Sequence, residues 1–316
     1  MKILVTGGSG FIGSHLVERL LLDGHKVLVL DDFSTGVFEN LNSQVEVIRG
    51  SVLDYQLVNK AVSRVDYVFH LAAAVGVFNI VEKPLQSMLI NIRGTENVLA
   101  AANEFSIPIF ITSSSEVYGK NESNTLRESD DRIVGSPAIL RWSYSEAKAI
   151  DESLGIAYFA EHRLPVRIVR FFNTVGPRQL GRYGMVVPRF VEAALKNETI
   201  KIFGDGNQTR CFAHVYDAID AVIAVAFSEN TIGKIVNIGN NQEISINDLA
   251  KKVIEITRSE SEVTHIGYDE AYGTGFEDMQ RRIPSLSLIE ELVGWKPRRD
   301  LGDIITDISI EMAKQN

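Results

Sequence analysis

The stretch Thr6-Gly7-Gly8-Ser9-Gly10-Phe11-Ile12-Gly13, "TGGSGFIG", follows the apolar run "KILV" and opens a segment of helical periodicity near Ser14. Glycines at this spacing between a strand and a helix permit a tight turn and a close backbone approach to a pyrophosphate. Its charge then rests on amide donors at the helix N-terminus. A second apolar run, "KVLVLDD" (26–32), ends at Asp31, where a carboxylate can bind a ribose diol and repel a 2′-phosphate. The pair points to NAD rather than NADP. The plainer alternative is a glycine turn with a capping Asp, and Asp32 reads from its position as a turn or capping residue.

Outward from this turn, Val/Ile/Leu-rich runs ("VEVIRG", "DYVFHLAA", "IPIFITSSS", "PVRIVRFFN") alternate with amphipathic segments such as "GSHLVERLLLDG" and "INIRGTENVLAAANEF". Near-continuous apolar strands separated by helices predict a parallel sheet covered on both faces. The expected fold is α/β, a Rossmann-type doubly wound parallel sheet with a smaller mixed α/β C-terminal lobe. The nucleotide-binding part is expected over 1–175, with later strands returning to it, and the substrate-binding part mainly over 176–316. The tail through "GYDEAYGTGFEDMQRRIPS" is expected to mix helices with short strands. No repeat of 20 to 50 residues marks a solenoid.

A chain of 316 residues, 45% hydrophobic, can bury a sizeable core. With 32 Lys+Arg against 41 Asp+Glu, a net charge of −9 and no basic run, nucleic acid and anionic membranes are disfavoured as partners, and a small molecule is favoured. The start "MKILVTGG" reads as strand and turn rather than as a cleavable signal, and no apolar run reaches membrane-spanning length. A cytoplasmic protein is expected. Cys211 is the only cysteine and the six His are scattered, so neither an internal disulfide nor a structural metal is expected.

In "YSEAK" (144–148), Tyr144 and Lys148 lie four apart in a segment that reads as helix from about Ser143 to Glu161, so they share a face. By itself such a pair is an ordinary surface pair. Beside a nucleotide fold, an ammonium and the positive ring of NAD favour phenolate, and Tyr144 can take a hydroxyl proton.

Together with "DDFSTG" (31–36), "HLAA" (70–73), "NIRGTENVL" (91–99), "SSSEVYG" (113–119), "RFFNTVGPR" (170–178), "FGDGNQTRCFAHVYD" (203–217) and "VNIGN" (236–240), these motifs resemble the extended short-chain dehydrogenase/reductase family of NAD-dependent sugar-nucleotide epimerases, dehydratases and decarboxylases. The resemblance covers nearly the whole chain. It implies an NAD site formed by Gly7, Gly10, Phe11, Ile12, Gly13, Asp31, Asp32, Leu71, Ala72, Ala73, Asn91 and Ser113 with Tyr144 and Lys148. It also implies a nucleotide-sugar site formed by Asn173, Arg178, Val187, Arg210 and Arg282, and a homodimer built by helices near 92–104 and 144–162. Ser51, in "RGSVLD", departs from the Asp the family usually carries near adenine.

Within the family, Ser115-Glu116 is similar to the UDP-glucuronate decarboxylase branch, where 4-epimerases usually show a small or hydroxyl residue at the second position and 4,6-dehydratases usually show Asp-Glu. "EDMQRRIPSLS" resembles the decarboxylase stretch that carries an Arg, here Arg282, and "RWSYSEAK" (141–148) is similar to the same branch. The resemblance implies Tyr144, Lys148, Glu116, Ser115 and Arg282 as catalytic residues acting on a UDP-sugar, with UDP-glucuronate favoured. The simpler alternatives are a loop carboxylate for Glu116 and a surface salt bridge for Arg282. The alternative activity is a UDP-hexose or UDP-uronate 4-epimerase; a 4,6-dehydratase and a non-catalytic NAD-binding regulator stand behind it. Asp31→Ala is expected to weaken NAD and to narrow its preference over NADP in paired cofactor titrations, because a ribose acceptor and a charge facing the 2′-phosphate are both lost. An unchanged preference would move the ribose site elsewhere.

Overall fold

The run "KILVT" becomes the inner strand β1 (Lys2–Thr6), in which Ile3, Leu4 and Val5 are all fully buried, so both of its faces are covered. The computed structural model describes residues 1–76, 82–181, 185–267, 270, 279 and 281–315. After β1 come α1 (Phe11–Leu22), β2 (Lys26–Asp31), β3 (Glu46–Arg49), α2 (Tyr55–Val62), β4 (Tyr67–His70), α3 (Pro84–Glu104), β5 (Ile109–Ser114), α4 (Ser143–His162) and β6 (Val166–Phe171). The rest of the chain adds β7 (Thr174–Val175), α5 (Val186–Leu195), β8 (Ile200–Phe203), β9 (Thr209–Cys211), β10 (Ala213–His214) and α6 (Val215–Ala226). Then come β11 (Ile235–Ile238), β12 (Glu243–Ser245), α7 (Ile246–Thr257), β13 (Val263–Ile266), α8 (Ser287–Val293) and α9 (Leu301–Gln315).

Seven strands form one parallel sheet in the order β11-β6-β5-β4-β1-β2-β3. This is the doubly wound α/β fold that the alternating runs predict. Strand order reverses between β1 and β4, which leaves a crevice outside their carboxyl ends. One face of the sheet is packed by α1 and α6 through Leu16, Leu20, Val222 and Val225, and the other by α2 and α3 through Val58, Val62, Val98 and Leu99. Each such buried side chain contributes on the order of 1.5–3 kcal/mol relative to exposure. A third cluster, around Val187, Phe190, Ile200, Leu249 and Ile305, joins α5, α7 and α9.

Helix boundaries follow local chemistry. Gly24, at φ +82°, turns the chain out of α1. Helix α3 begins ahead of the expected segment, at Pro84, whose fixed φ and missing N–H suit a first helical position. The expected mixture in "GYDEAYGTGFEDMQRRIPS" falls mostly outside the described residues. Among the described residues no helix is long and apolar enough to cross a membrane.

A charged network ties β6 and β5 to α4. Arg170 on β6 donates from Nε and Nη2 to the two carboxylate oxygens of Glu152 on α4, both at 2.8 Å, and the Ser113 hydroxyl donates to the same carboxylate at 2.6 Å. Both charged side chains are nearly inaccessible, at 5% and 6% exposure. The Arg170 guanidinium also lies 4.7 Å from the Tyr118 ring centroid. Arg170→Met strands the Glu152 charge in the interior, and a stability loss of about 3–5 kcal/mol is expected in urea titration; a loss under about 1 kcal/mol would show that the pair is not needed to keep the carboxylate buried.

Candidate active site

The crevice at the carboxyl ends of the strands holds a cavity of about 430 Å³. Its floor is the glycine turn. Gly7 takes φ +69°, and a Cβ there would stand 2.7 Å from the Ala72 backbone nitrogen. A Cβ on Gly13 would stand 2.1 Å from the Gly7 carbonyl oxygen, so the turn closes only with glycine at both positions. Gly10 is the N-cap of α1, whose first turn has no side-chain cap and no acidic residue. Gly10, Phe11, Ile12 and Gly13 line the cavity, so first-turn amide donors are available to an anion. That arrangement fits the diphosphate of a dinucleotide.

Asp31 lines the same cavity and does a second task. Its Oδ2 accepts the Ser9 amide and its Oδ1 the Phe33 amide, both at 2.9 Å, so the ribose candidate also ties the glycine turn to the end of β2. Asp32 accepts the Ser34 amide at 2.9 Å, the turn role its position predicts, and borders the cavity as well. Leu71, Ala72 and Ala73 form the opposite wall. Asn91 does not line the cavity: its amide side chain pairs with the backbone N–H and C=O of Ala74 at 2.8 and 3.2 Å and so fastens that wall. Below it, His70 bridges Thr6 and Thr95 at 2.8 and 3.0 Å, and burial pushes its imidazole down to about 3, so it serves as a neutral strut.

Tyr144 and Lys148 rise from α4 into the cavity. The Lys148 ammonium donates to the Thr112 carbonyl at 3.1 Å and to Asp151 at 3.0 Å. Burial works against its charge, but Asp151 and the Tyr144 oxygen outweigh burial, and its pKa is raised. At Tyr144 burial is the largest influence and raises the phenol. The Lys148 ammonium and a hydrogen bond with Ser114 pull the other way, without overcoming burial. The ammonium therefore acts in the expected direction, although in this structure the phenol form prevails. Ser114 and Asp151 carry no local sequence signal for these roles; only the strand end and the helix face bring them to Tyr144 and Lys148. Ser113 borders the cavity, but its hydroxyl is committed to Glu152.

Directly after β5 the chain makes a 3₁₀ turn over Ser115–Tyr118, capped by the Ser114 hydroxyl, which accepts the Glu116 amide at 3.2 Å. The Glu116 side chain is 15% exposed and held between two guanidiniums. Arg282 Nη1 donates to its Oε1 at 2.8 Å, and Arg141 Nη1 lies 2.6 Å from its Oε2. Burial raises the carboxyl, yet the two cations outweigh it and hold Glu116 well below the usual carboxylate range. Arg282 also approaches the Ser115 hydroxyl at 3.4 Å, and backbone pairing of Leu126 with Ile283 and Ser285 holds its segment in place. Glu116 is thus more than a loop carboxylate, and Arg282, 5% exposed, is not a surface salt bridge.

Ser115, Glu116 and Arg282 are not among the residues that line the cavity, and the remaining expected residues spread out. Asn173 donates to the Cys211 carbonyl at 3.1 Å and Arg210 to the Thr209 carbonyl at 2.7 Å; neither lines the cavity. The Val187 side chain is fully buried in the third core cluster, where helical packing claims it. Arg178, at φ +68°, pairs with Glu18 at 2.6 Å and borders the cavity. Among the described residues no group of His, Cys, Asp and Glu is arranged to hold a metal ion.

The sequence model of a family described as the NAD dependent epimerase/dehydratase family matches residues 3–239, a span that holds the glycine turn, Asp31 and the Tyr144–Lys148 pair. The chain belongs to this family. It is 41% identical over 300 residues, 94% of this chain and 92% of the other, to a UDP-N-acetyl-alpha-D-glucosaminuronate decarboxylase of Bacillus cytotoxicus. It is 33% identical over 296 residues, 94% of this chain and 68% of the other, to UDP-glucuronic acid decarboxylase 1 of Xenopus tropicalis. Its fold matches that of a UDP-glucuronic acid 4-epimerase from Bacillus cereus, solved with UDP-glucuronic acid and NAD, with a TM-score of 0.89, 28% identity and full coverage of both chains. Tyr144→Phe keeps the ring and removes the oxygen, so turnover is expected to fall about 10²–10⁴-fold with NAD affinity nearly unchanged, read by steady-state kinetics and NAD titration. Wild-type turnover would remove Tyr144 from the chemistry.

Proposed function

We propose that the chain is an NAD-dependent nucleotide-sugar decarboxylase acting on UDP-glucuronate, which releases carbon dioxide and gives a UDP-4-keto-pentose or UDP-xylose. The observation that carries this reading is the buried Arg282 guanidinium, which two chain segments far apart in sequence bring against Ser115 and Glu116 beside the Tyr144 helix. A uronate differs from a neutral hexose by one carboxylate, and a buried guanidinium beside the Tyr144 helix is a group suited to recognise it. The names of the two curated relatives support the same reaction class.

Bound NAD supplies a hydride acceptor for the sugar C4 and the reductant for its return. Tyr144, a phenol in this structure, would become phenolate once the positive ring of NAD adds to the Lys148 ammonium, and would then take the C4 hydroxyl proton; Lys148 is anchored for this by Asp151 and Thr112. The C4 ketone makes the substrate a β-keto acid. Loss of carbon dioxide breaks the C5–C6 bond and leaves the electron pair on the ketone oxygen as an enolate, which is then protonated at C5. Arg282 holds the carboxylate and steadies the developing charge, since a guanidinium is too basic to be an easy acid. Glu116, kept ionised by its neighbours, orients Arg282 or a water rather than giving up a proton itself.

The same reading takes the cavity residues, Asn91 through its hold on Ala74, as the NAD site, and Asn173, Arg210 and Arg282 as sugar-nucleotide contacts. It takes residues 1–175 as the cofactor lobe and 176–316 as mainly the sugar-nucleotide lobe. A cytoplasmic homodimer joined through α3 and α4 completes it, supported by the apolar side chains that these helices leave exposed, Leu85 and Ile150. A second reading, the N-acetylated uronate as substrate, is favoured by the 41% identical relative. Purified protein given NAD and UDP-glucuronate labelled with ¹³C at C6 is expected to release labelled carbon dioxide with a UDP-pentose. Faster release from UDP-N-acetylglucosaminuronate selects the second reading, and a C4 epimer without carbon dioxide replaces both with the epimerase.

A further inference from the structure

Arg141 has no part in the reaction as set out above, yet it is among the most enclosed charges near the site, at 5% exposure. It lies in the 3₁₀ turn Leu140–Trp142 that leads directly into α4, three residues before Tyr144. Its Nη1 stands 2.6 Å from Glu116 Oε2, while Arg282 occupies the other oxygen, Oε1, at 2.8 Å. Its guanidinium carbon lies 5.6 Å from the ring centroid of Trp142, which is itself only 1% exposed, so the base of the arginine is well anchored.

We propose that Arg141 is a positioning residue that locks the Glu116 carboxylate from the side opposite Arg282, so that Arg282 can engage a substrate carboxylate without releasing Glu116. The inference rests on the uronate reading above. Two guanidiniums around one carboxylate leave one net positive charge, the complement of a single uronate carboxylate. With Arg282 alone, the Glu116–Arg282 pair is neutral and self-contained, and substrate has to compete with Glu116 for the only cation. With Arg141 present, Glu116 keeps a partner while Arg282 shares its donors with the sugar. Because the turn that carries Arg141 runs directly into the helix that carries Tyr144, the lock also ties Glu116 to the proton-accepting oxygen. The charged groups facing Glu116 are Arg141 and Arg282, with the Tyr144 phenol next to it and Lys148 and Asp151 behind that phenol.

The test is a double-mutant cycle on carbon dioxide release, with Arg141→Gln and Arg141→Lys placed in the wild-type and Glu116→Gln backgrounds and NAD affinity as the check on folding. Loss of a lock that displaces a reacting group by about an ångström costs on the order of a hundredfold in kcat. Arg141→Gln is expected to show that loss with NAD affinity unchanged, Arg141→Lys to recover much of it, and neither to add a further loss once Glu116 is Gln. Full additivity in the Glu116→Gln background, an unchanged kcat, or a rise in KM alone overturns the proposal, since Arg141 would then act apart from Glu116. A reading that needs no substrate runs beside it. In protein carrying ¹³C-carboxyl glutamate, the signal that Glu116→Gln removes is expected to titrate at higher pH in both Arg141 variants than in wild type. An identical titration overturns the proposal, and so does an unshifted Arg141→Lys titration if Arg141→Gln fails to bind NAD. Wild type that releases no carbon dioxide sinks the decarboxylase reading, while the titration still decides the role of Arg141.

Discussion

One carboxylate enclosed by two guanidiniums organises the reactive end of this molecule. Glu116 stands just past the end of β5, Arg141 at the entry to α4 and Arg282 in the segment ahead of α8, so three stretches remote in sequence meet at a single side chain. A carboxylate this enclosed is strongly disfavoured unless it is paired, and the attraction of two cations is what keeps it charged. The pairing ties the Tyr144 helix, the turn after β5 and the Arg282 segment to one geometry. The same three charges hold these parts of the fold together.

The sheet supplies the other half of the arrangement. Reversal of strand order between β1 and β4 opens the crevice, and the glycine turn keeps its floor low enough for a dinucleotide. Several polar side chains under the crevice are committed to backbone or to one another: Asp31 to two amides, Asn91 to Ala74, His70 to two threonines and Lys148 to Asp151. Such commitments leave the side chains few alternative arrangements. A preorganised site of this kind stabilises charge as it develops without having to rearrange for each turnover.

Local patterns made much of this legible. The glycine spacing, the Asp at the end of β2, the alternation of apolar runs and the Tyr144–Lys148 interval each follow from a short stretch, and the structure carries the corresponding turn, strands and helix face. Family likeness pointed to Glu116 and Arg282 at long range. Arg141 stayed unassigned although its segment was recognised, because only a 3₁₀ turn folding back on the end of β5 brings it to Glu116. Ser114 was hidden in a run of three serines whose side chains alternate in direction along a strand end, and position alone does not say which one meets Tyr144. Val187 is packed in the third core cluster, and Arg178, in a left-handed backbone conformation, pairs with Glu18; neither partner is signalled by the local sequence.

The central claim is that Glu116 and its cations act after the sugar is oxidised. Single-turnover mixing of the Glu116→Gln enzyme with C6-labelled UDP-glucuronate, following NADH absorbance and labelled carbon dioxide on the same sample, separates the two steps. The account predicts NADH formation of near wild-type amplitude, with carbon dioxide release slowed on the order of a hundredfold or more. Equal slowing of both signals, or carbon dioxide release at the wild-type rate, would contradict it.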